Sequence, residues 1–149
     1  MKKERTFAML KPGTLQRRII GEVIIRIERK GLKIIGMKEM MITPEMARTH
    51  YAEHKEKSFY TELMDYIVSG PIIAMALEGD DSVSLVRKLC GATRVDEALP
   101  GTIRGDFGKH TGTNIIHSSD SPASAERELS LFFKPEELFS WDDGNSKWF

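Results

Sequence analysis

The stretch Gly112-Thr113-Asn114-Ile115-Ile116-His117-Ser118-Ser119-Asp120-Ser121 joins a short apolar strand to a polar turn, and Ser121-Pro122 then opens a helix. Asn114 to His117 suit a half-buried strand, and serine followed by proline reads as an N-cap and first helical residue. His117 is thereby expected at a strand end, its ring facing a polar turn and a helix N-terminus that favours anions. An imidazole so placed suits receipt of a phosphoryl group; the plainer reading is one more polar residue at the end of a strand. The rest of the chain decides between the two.

Just upstream, Ala92 to Thr113 has almost no apolar periodicity and carries Arg94, Arg104 and Lys109 among glycines, a length and composition typical of functional or disordered loops. Before it, Ile72 to Leu77 is a continuous apolar run between Pro71 and Gly79, the pattern of a central strand covered on both faces. The helix that follows is capped by Asp81 or Ser82, turns Val83, Val86, Leu89 and Cys90 inward, and ends at Gly91. Nearer the N-terminus, Thr6 to Leu10 forms a first strand stopped by Lys11-Pro12-Gly13. Ile19, Ile20, Val23, Ile24 and Ile27 recur at helical spacing up to Gly31, and residues 32 to 42 read as a second strand. Thr43-Pro44 starts a helix through about Lys55, and Ser58 caps another ending at Ser69-Gly70-Pro71. Beyond His117 come a helix with Ala125, Leu129 and Phe132 on one side and a polar tail whose Trp141 and Trp148 are expected to pack on a neighbouring subunit. Strands alternating with helices by themselves favour a parallel, doubly wound sheet.

A chain of 149 residues makes one domain with one proper core. Lysine plus arginine equal aspartate plus glutamate at 22 each, so no basic excess recruits nucleic acid and an anion site must come from local clustering. Cys90 is the sole cysteine, which excludes an intrachain disulfide and fits a reducing compartment; it reads as a small buried residue. The apolar run after Met1-Lys2-Lys3-Glu4-Arg5 is too short for a signal or a membrane span, so the expected location is cytoplasmic, with no membrane partner.

Three strings imitate known motifs. His50-Tyr51-Ala52-Glu53-His54 matches H-x-x-E-H, which would put two zinc ligands on one helix face, yet no third acidic ligand accompanies it. Asp106-Phe107-Gly108 matches the magnesium-binding D-F-G of protein kinases without that family's other parts, and Arg104-Gly105-Asp106 means adhesion only on a secreted protein. Lys11 lacks the glycine spacing of a Walker A loop, so charged side chains would have to hold any nucleotide phosphates.

Thr6 to Pro12, Gly21-Glu22 with Glu28 to Gly31, His50-Tyr51, Ser69 to Pro71, Pro100 to Phe107 and Asn114 to Ser121 together resemble the nucleoside diphosphate kinases, in family order and at family spacing over about residues 5 to 133. The resemblance implies an α+β, ferredoxin-like fold in place of the parallel sheet, a four-stranded antiparallel sheet covered by helices and assembled as a homohexamer or homotetramer. It also implies γ-phosphoryl transfer from a nucleoside triphosphate, mainly ATP, to a nucleoside diphosphate through a phosphohistidine, with ping-pong kinetics.

Residue by residue, His117 matches the nucleophile, acting through Nδ1; Glu128 matches the acid that holds the other ring nitrogen, and Ser119 a serine bonded at the same place. Arg87, Thr93 and Arg104 match phosphate ligands. Arg104, pinned between Ile103 and Gly105 in a glycine-rich loop, makes little sense as packing. Tyr51 and His54 match residues near the phosphates. Lys11 and Asn114 match groups that bond the ribose hydroxyls, with the lysine also near the transferred phosphate. Phe59 matches the aromatic on which the base stacks and Leu63 an apolar residue of the same slot, core packing being the alternative for both. No protein metal site is implied; Mg²⁺ would enter on the nucleotide phosphates.

The chain departs from the family pattern at Gly13-Thr14, where Asp-Gly or Asp-Ala is usual, at Arg18 and Ser118, usually glycine and glycine or alanine, at Lys57 to Tyr60, and at Val95, often proline. None of these departures removes a residue with an assigned chemical role. The alternative function, a catalytically silent nucleotide-binding or regulatory module on the same fold, has no need to keep Lys11, Arg87, Thr93, Arg104, Asn114 and His117 together.

Overall fold

In the computed structural model, which describes residues 3–149, β1 (Lys3–Leu10) leads through α1 (Ile20–Arg29) to β2 (Lys33–Met40). A helical pair, α2 (Pro44–His50) and α3 (Tyr60–Ile67), precedes β3 (Ile72–Asp80). Then come α4 (Ser82–Cys90), the short α5 (Ile103–Phe107), β4 (Ile116–Ser118) and α6 (Pro122–Phe132). The sheet order is β2-β3-β1-β4, and every pairing is antiparallel. This is the ferredoxin-like βαββαβ arrangement. The parallel sheet favoured by element order alone is wrong, because α1 and α4 each cross over to a strand that is not the immediate neighbour.

Both faces of the sheet are covered. Ala8 and Leu10 of β1 with Ile73, Met75 and Leu77 of β3 pack against Val23 and Ile27 of α1 and Val86 and Cys90 of α4. Their alternate neighbours Phe7, Met9, Ile72, Ala74 and Ala76 meet Ala47 of α2, Ile67 of α3 and Phe132 of α6. The extra helices over the second face explain why β3, an antiparallel strand, reads as an unbroken apolar run.

Proline-led caps form as read: Thr43 accepts from the Met46 N–H and Ser121 from the Ser124 N–H. The helix expected through Lys55 instead stops at His50, where Tyr51 leaves helical geometry (φ −104°, ψ 21°), and a 3₁₀ turn, Ala52–His54, follows. Ser58 caps nothing; Phe59 precedes α3 with no side-chain cap, and at α4 neither Asp81 nor Ser82 bonds the first turn, Asp81 holding a left-handed conformation. The aperiodic stretch after Gly91 is ordered, with α5 capped by the Thr102 hydroxyl.

The tail returns along the β2 edge. The Phe139 N–H donates to the Ile35 carbonyl at 2.7 Å and the Trp141 Nε1–H to Ile34 at 3.0 Å. Gly36 permits this approach, since a Cβ there would lie 2.9 Å from Leu138 Cδ2. Trp141 is thus engaged within its own chain, whereas Trp148 is 75% exposed. Among the described residues no helix is long and apolar enough to cross a membrane.

Arg18 sits at φ +57°, the left-handed region in which a Cβ crowds the following carbonyl. Arg18→Gly is therefore expected to stabilise the fold by about 0.5–1 kcal/mol, a rise in Tm of roughly 2 °C by thermal denaturation. No rise would mean that the arginine side chain contributes a compensating contact.

Candidate active site

Register decides where His117 points. β4 pairs with β1 so that His117 opposes Met9 and Ser118 opposes Ala8. His117 accordingly shares the Phe7/Met9 face with α2 and α6, while Ser118 faces α4, where its hydroxyl accepts from Cys90 Sγ at 3.7 Å and its carbonyl from Arg87 Nη1 at 3.2 Å. The strand expected over Asn114–His117 begins only at Ile116. Ile115 has φ +74°, and the Ile116 N–H donates to the Asn114 carbonyl at 2.8 Å, a three-residue turn of the strained hand.

On α6, Ala125, Glu128 and Phe132 form the buried stripe, so a carboxylate stands where the pattern calls for an apolar residue. Glu128 Oε2 accepts from His117 Nε2 at 2.9 Å and Oε1 from the Ser119 hydroxyl at 2.5 Å. Burial alone would raise this carboxyl, but the His117 hydrogen bond and charge and the Ser119 bond outweigh it and hold it below its ordinary value. With Nε2 committed, Nδ1 is the nitrogen left for a substrate.

His117 lines a cavity of about 650 Å³. Ten of the other expected residues line it too: Lys11, Tyr51, His54, Phe59, Leu63, Arg87, Thr93, Arg104, Asn114 and Glu128. Ser119 lies behind Glu128, fully buried. Lys11 follows β1, its amide donating to the Ile115 carbonyl and its Nζ to Asn114 Oδ1 at 2.7 Å; Asn114 Nδ2 donates in turn to the Thr93 carbonyl at 3.0 Å. Burial, helped by the Arg104 charge, lowers the Lys11 ammonium to about 8. The departure at Thr14 is absorbed here, its buried hydroxyl donating to the Lys11 carbonyl at 2.6 Å. Phe59, 48% exposed, and Leu63 one turn on form the outer lip, with the His54 ring 5.8 Å from Phe59. The Tyr51 hydroxyl is buried and without a protein partner, and burial raises its pKa.

Arg104 has the packing role that the sequence reading discounts. It is 4% exposed and donates to three backbone carbonyls, Nε to Asn114 at 3.2 Å, Nη1 to Gly91 at 2.8 Å and Nη2 to Ile116 at 2.5 Å. Asp106 is committed to Arg26 at 2.7 Å and to the Gly101 amide, which leaves the D-F-G likeness without a metal role. The H-x-x-E-H set also disperses, with Glu53 69% exposed and His54 on the 3₁₀ turn.

Of the lining residues that escaped sequence reasoning as site members, two bear on the chemistry of the cavity. Arg127, next to Glu128 on α6, adds a cation, and nothing in the local pattern separates it from a surface arginine. His50 was visible as half of a zinc string and in the His50-Tyr51 pair of the family resemblance, without a role in the site; its side chain is 2% exposed, its ring lies 4.7 Å from that of His117, and neither nitrogen has a hydrogen-bond partner. Burial first, then the His117 charge, pushes it down to about 3. It is neutral wherever the protein works.

Residues 4–138 match the family model described as nucleoside diphosphate kinase. The chain is 57% identical over 145 residues to the nucleoside diphosphate kinase of Archaeoglobus fulgidus, covering 97% of this chain and 96% of that protein. It is 54% identical over 146 residues to that of Treponema pallidum, covering 98% of each. A halophilic nucleoside diphosphate kinase from Halobacterium salinarum, solved in complex with CDP, superposes with a TM-score of 0.96 at 49% identity, covering 99% of this chain and 98% of that one.

Proposed function

Because the chain belongs to the nucleoside diphosphate kinase family and is thus a phosphotransferase, we propose that its reaction runs through His117. The His117 Nδ1 lone pair attacks the γ-phosphorus of a nucleoside triphosphate, mainly ATP. The bond from that phosphorus to the β–γ bridging oxygen breaks, and the diphosphate leaves. An acceptor diphosphate then takes the phosphoryl group from Nδ1 by the reverse step. The observation that carries this reading is the 2.9 Å bond from His117 Nε2 to Glu128, which fixes the tautomer with its free lone pair on Nδ1.

In this reading Arg87, Thr93, Arg104 and the unpartnered Tyr51 hydroxyl meet the phosphates, with His54 beside them. Three of the five guanidinium N–H groups of Arg104 are committed to carbonyls, which leaves two for an anion. Lys11 and Asn114 bond the ribose hydroxyls, Phe59 stacks on the base, and Leu63 closes the slot; stacking accepts any base, as a two-substrate exchange requires. Ser119 secures Glu128. Mg²⁺ fits this cavity only when carried on the nucleotide. The only three-residue ion-ligating cluster among the described residues, His50 with His117 and Glu128, is too rich in nitrogen for a hard cation. On the phosphates it supplies charge neutralisation of the β and γ oxygens. The chain acts as a single domain in the cytoplasm. Exposed Ile25, Met37, Leu99, Trp148 and Phe149 support assembly into a homohexamer or homotetramer.

The test is incubation of the protein with Mg²⁺ and γ-labelled ATP. Acid-labile, alkali-stable label discharged by GDP is expected; ATP binding without label would hand the site to the silent nucleotide-binding module.

Lys11 makes nucleotide binding pH-dependent. A bound phosphate raises the lysine above its free value of about 8, so binding takes up a proton above that pH, and affinity falls as pH rises through it. Calorimetry at pH 8.5 in buffers of differing ionisation enthalpy should read uptake of up to about three-quarters of a proton, abolished in Lys11→Met. Equal uptake in the variant would assign the proton elsewhere.

A further inference from the structure

We propose that His50, His117 and Glu128 form a binding site for a borderline-soft divalent cation, with Zn²⁺ as the reference ion, and that its occupation switches His117 off as a nucleophile. The site itself rests on geometry; the switch rests on the phosphohistidine reading above.

His50 is the unexplained group. A neutral imidazole with both nitrogens buried and unbonded forfeits hydrogen bonds that water would supply. It is nevertheless aimed at the catalytic carboxylate, with Nδ1 3.7 Å from Glu128 Oε2, the same oxygen that receives His117 Nε2 at 2.9 Å. One ligand atom from each of the three side chains lies within 4.8 Å of the others. Around a tetrahedral zinc, ligand atoms stand about 3.4 Å apart, so sub-ångström to ångström-scale shifts of the two rings complete the set. Two histidines and one carboxylate leave a fourth position, here open to the nucleotide cavity, which is also the route of entry. The supporting shell is present: Ser119 holds the other Glu128 oxygen, and the Phe7 and Phe132 rings wall His50 on the side away from solvent. A nitrogen-rich set selects against Mg²⁺, so the ion that the substrates carry does not compete.

The consequence follows from counting ring protons. When the His117 ring carries a single proton, the bond to Glu128 places that proton on Nε2 and leaves the lone pair on Nδ1. A cation on Nε2 takes the place of that proton, which moves to Nδ1. No lone pair then faces the γ-phosphorus, and no phosphoenzyme forms.

The experiment uses the full chain labelled with ¹⁵N-histidine, free of nucleotide, titrated with Zn²⁺ by NMR and by competition with a chromophoric chelator. One Zn²⁺ per protomer is expected to move the ring nitrogens of His50 and His117 together, with the His117 proton transferring to Nδ1. Mg²⁺ should move neither. His50→Phe should weaken binding roughly 100-fold or more; if that variant fails to fold, the wild-type spectra decide. Labelling from Mg²⁺ and ATP should fall in step with zinc occupancy and return with chelator. Shifts confined to His54 and His110, or equal affinity in folded His50→Phe, would overturn the site. Full labelling with the site occupied would overturn the switch. Zinc bound at the three residues of a protein that takes no label even with chelator would sink the phosphohistidine reading and leave the site standing.

Discussion

His117→Ala is expected to take no label from γ-labelled ATP and to exchange phosphoryl groups roughly 10⁴-fold or more slowly than the parent chain, because removal of a covalent nucleophile removes both half-reactions at once. The fold should survive the change. His117 is 22% exposed by side chain, sits at the last-but-one position of an edge strand, and its loss leaves Glu128 still held by Ser119. Nucleotide binding should therefore persist, since Lys11, Arg87, Arg104, Asn114 and Phe59 are untouched. Residual rate with parent-like label would assign the nucleophile to another residue. Loss of binding together with label would mean that the histidine also shapes the cavity.

Arg104→Met is expected to carry the largest stability loss, about 3–5 kcal/mol and a fall in Tm of roughly 10 °C. Methionine fills much of the same space but offers no donor to the carbonyls of Gly91, Asn114 and Ile116, which belong to the end of α4, the strained turn and β4. The arginine fork ties these three segments into one wall of the cavity. A lysine offers one ammonium for three divergent carbonyls, so Arg104→Lys should recover little. Urea unfolding checks both variants; a loss within about 1 kcal/mol would mean the carbonyls find other donors. Any activity deficit in these variants has to be separated from the structural one by measuring folded protein only.

The two expectations draw on different information. His117 was legible because the strand, the polar turn and the Ser121-Pro122 cap are all local, and caps and periodicities are written within a few residues of one another. Lys11, Arg104 and Glu128 came from motif resemblance, and composition alone would have left each as an ordinary charged residue. Local pattern also found the cores of all four strands and the inward faces of α1, α4 and α6. It erred where a helix could end early, as at Tyr51, or where no side-chain cap was needed, as before α3.

By itself the sequence determined the alternation of strands and helices, the apolar stripe of α6 through Ala125, Leu129 and Phe132, and a histidine poised at a strand end. Tertiary structure alone decided the direction and order of the strands. Those depend on which distant pairs bury together, Met9 with His117 across 108 residues and Lys11 with Asn114 across 103. It decided that Ile115 would take a strained turn, that Arg104 would brace three carbonyls, and that His50 would leave its zinc-like string and come to lie beside His117. A side chain's partners are fixed by the sheet register and by the packing of helices over it, and neither is encoded within reach of the residue itself.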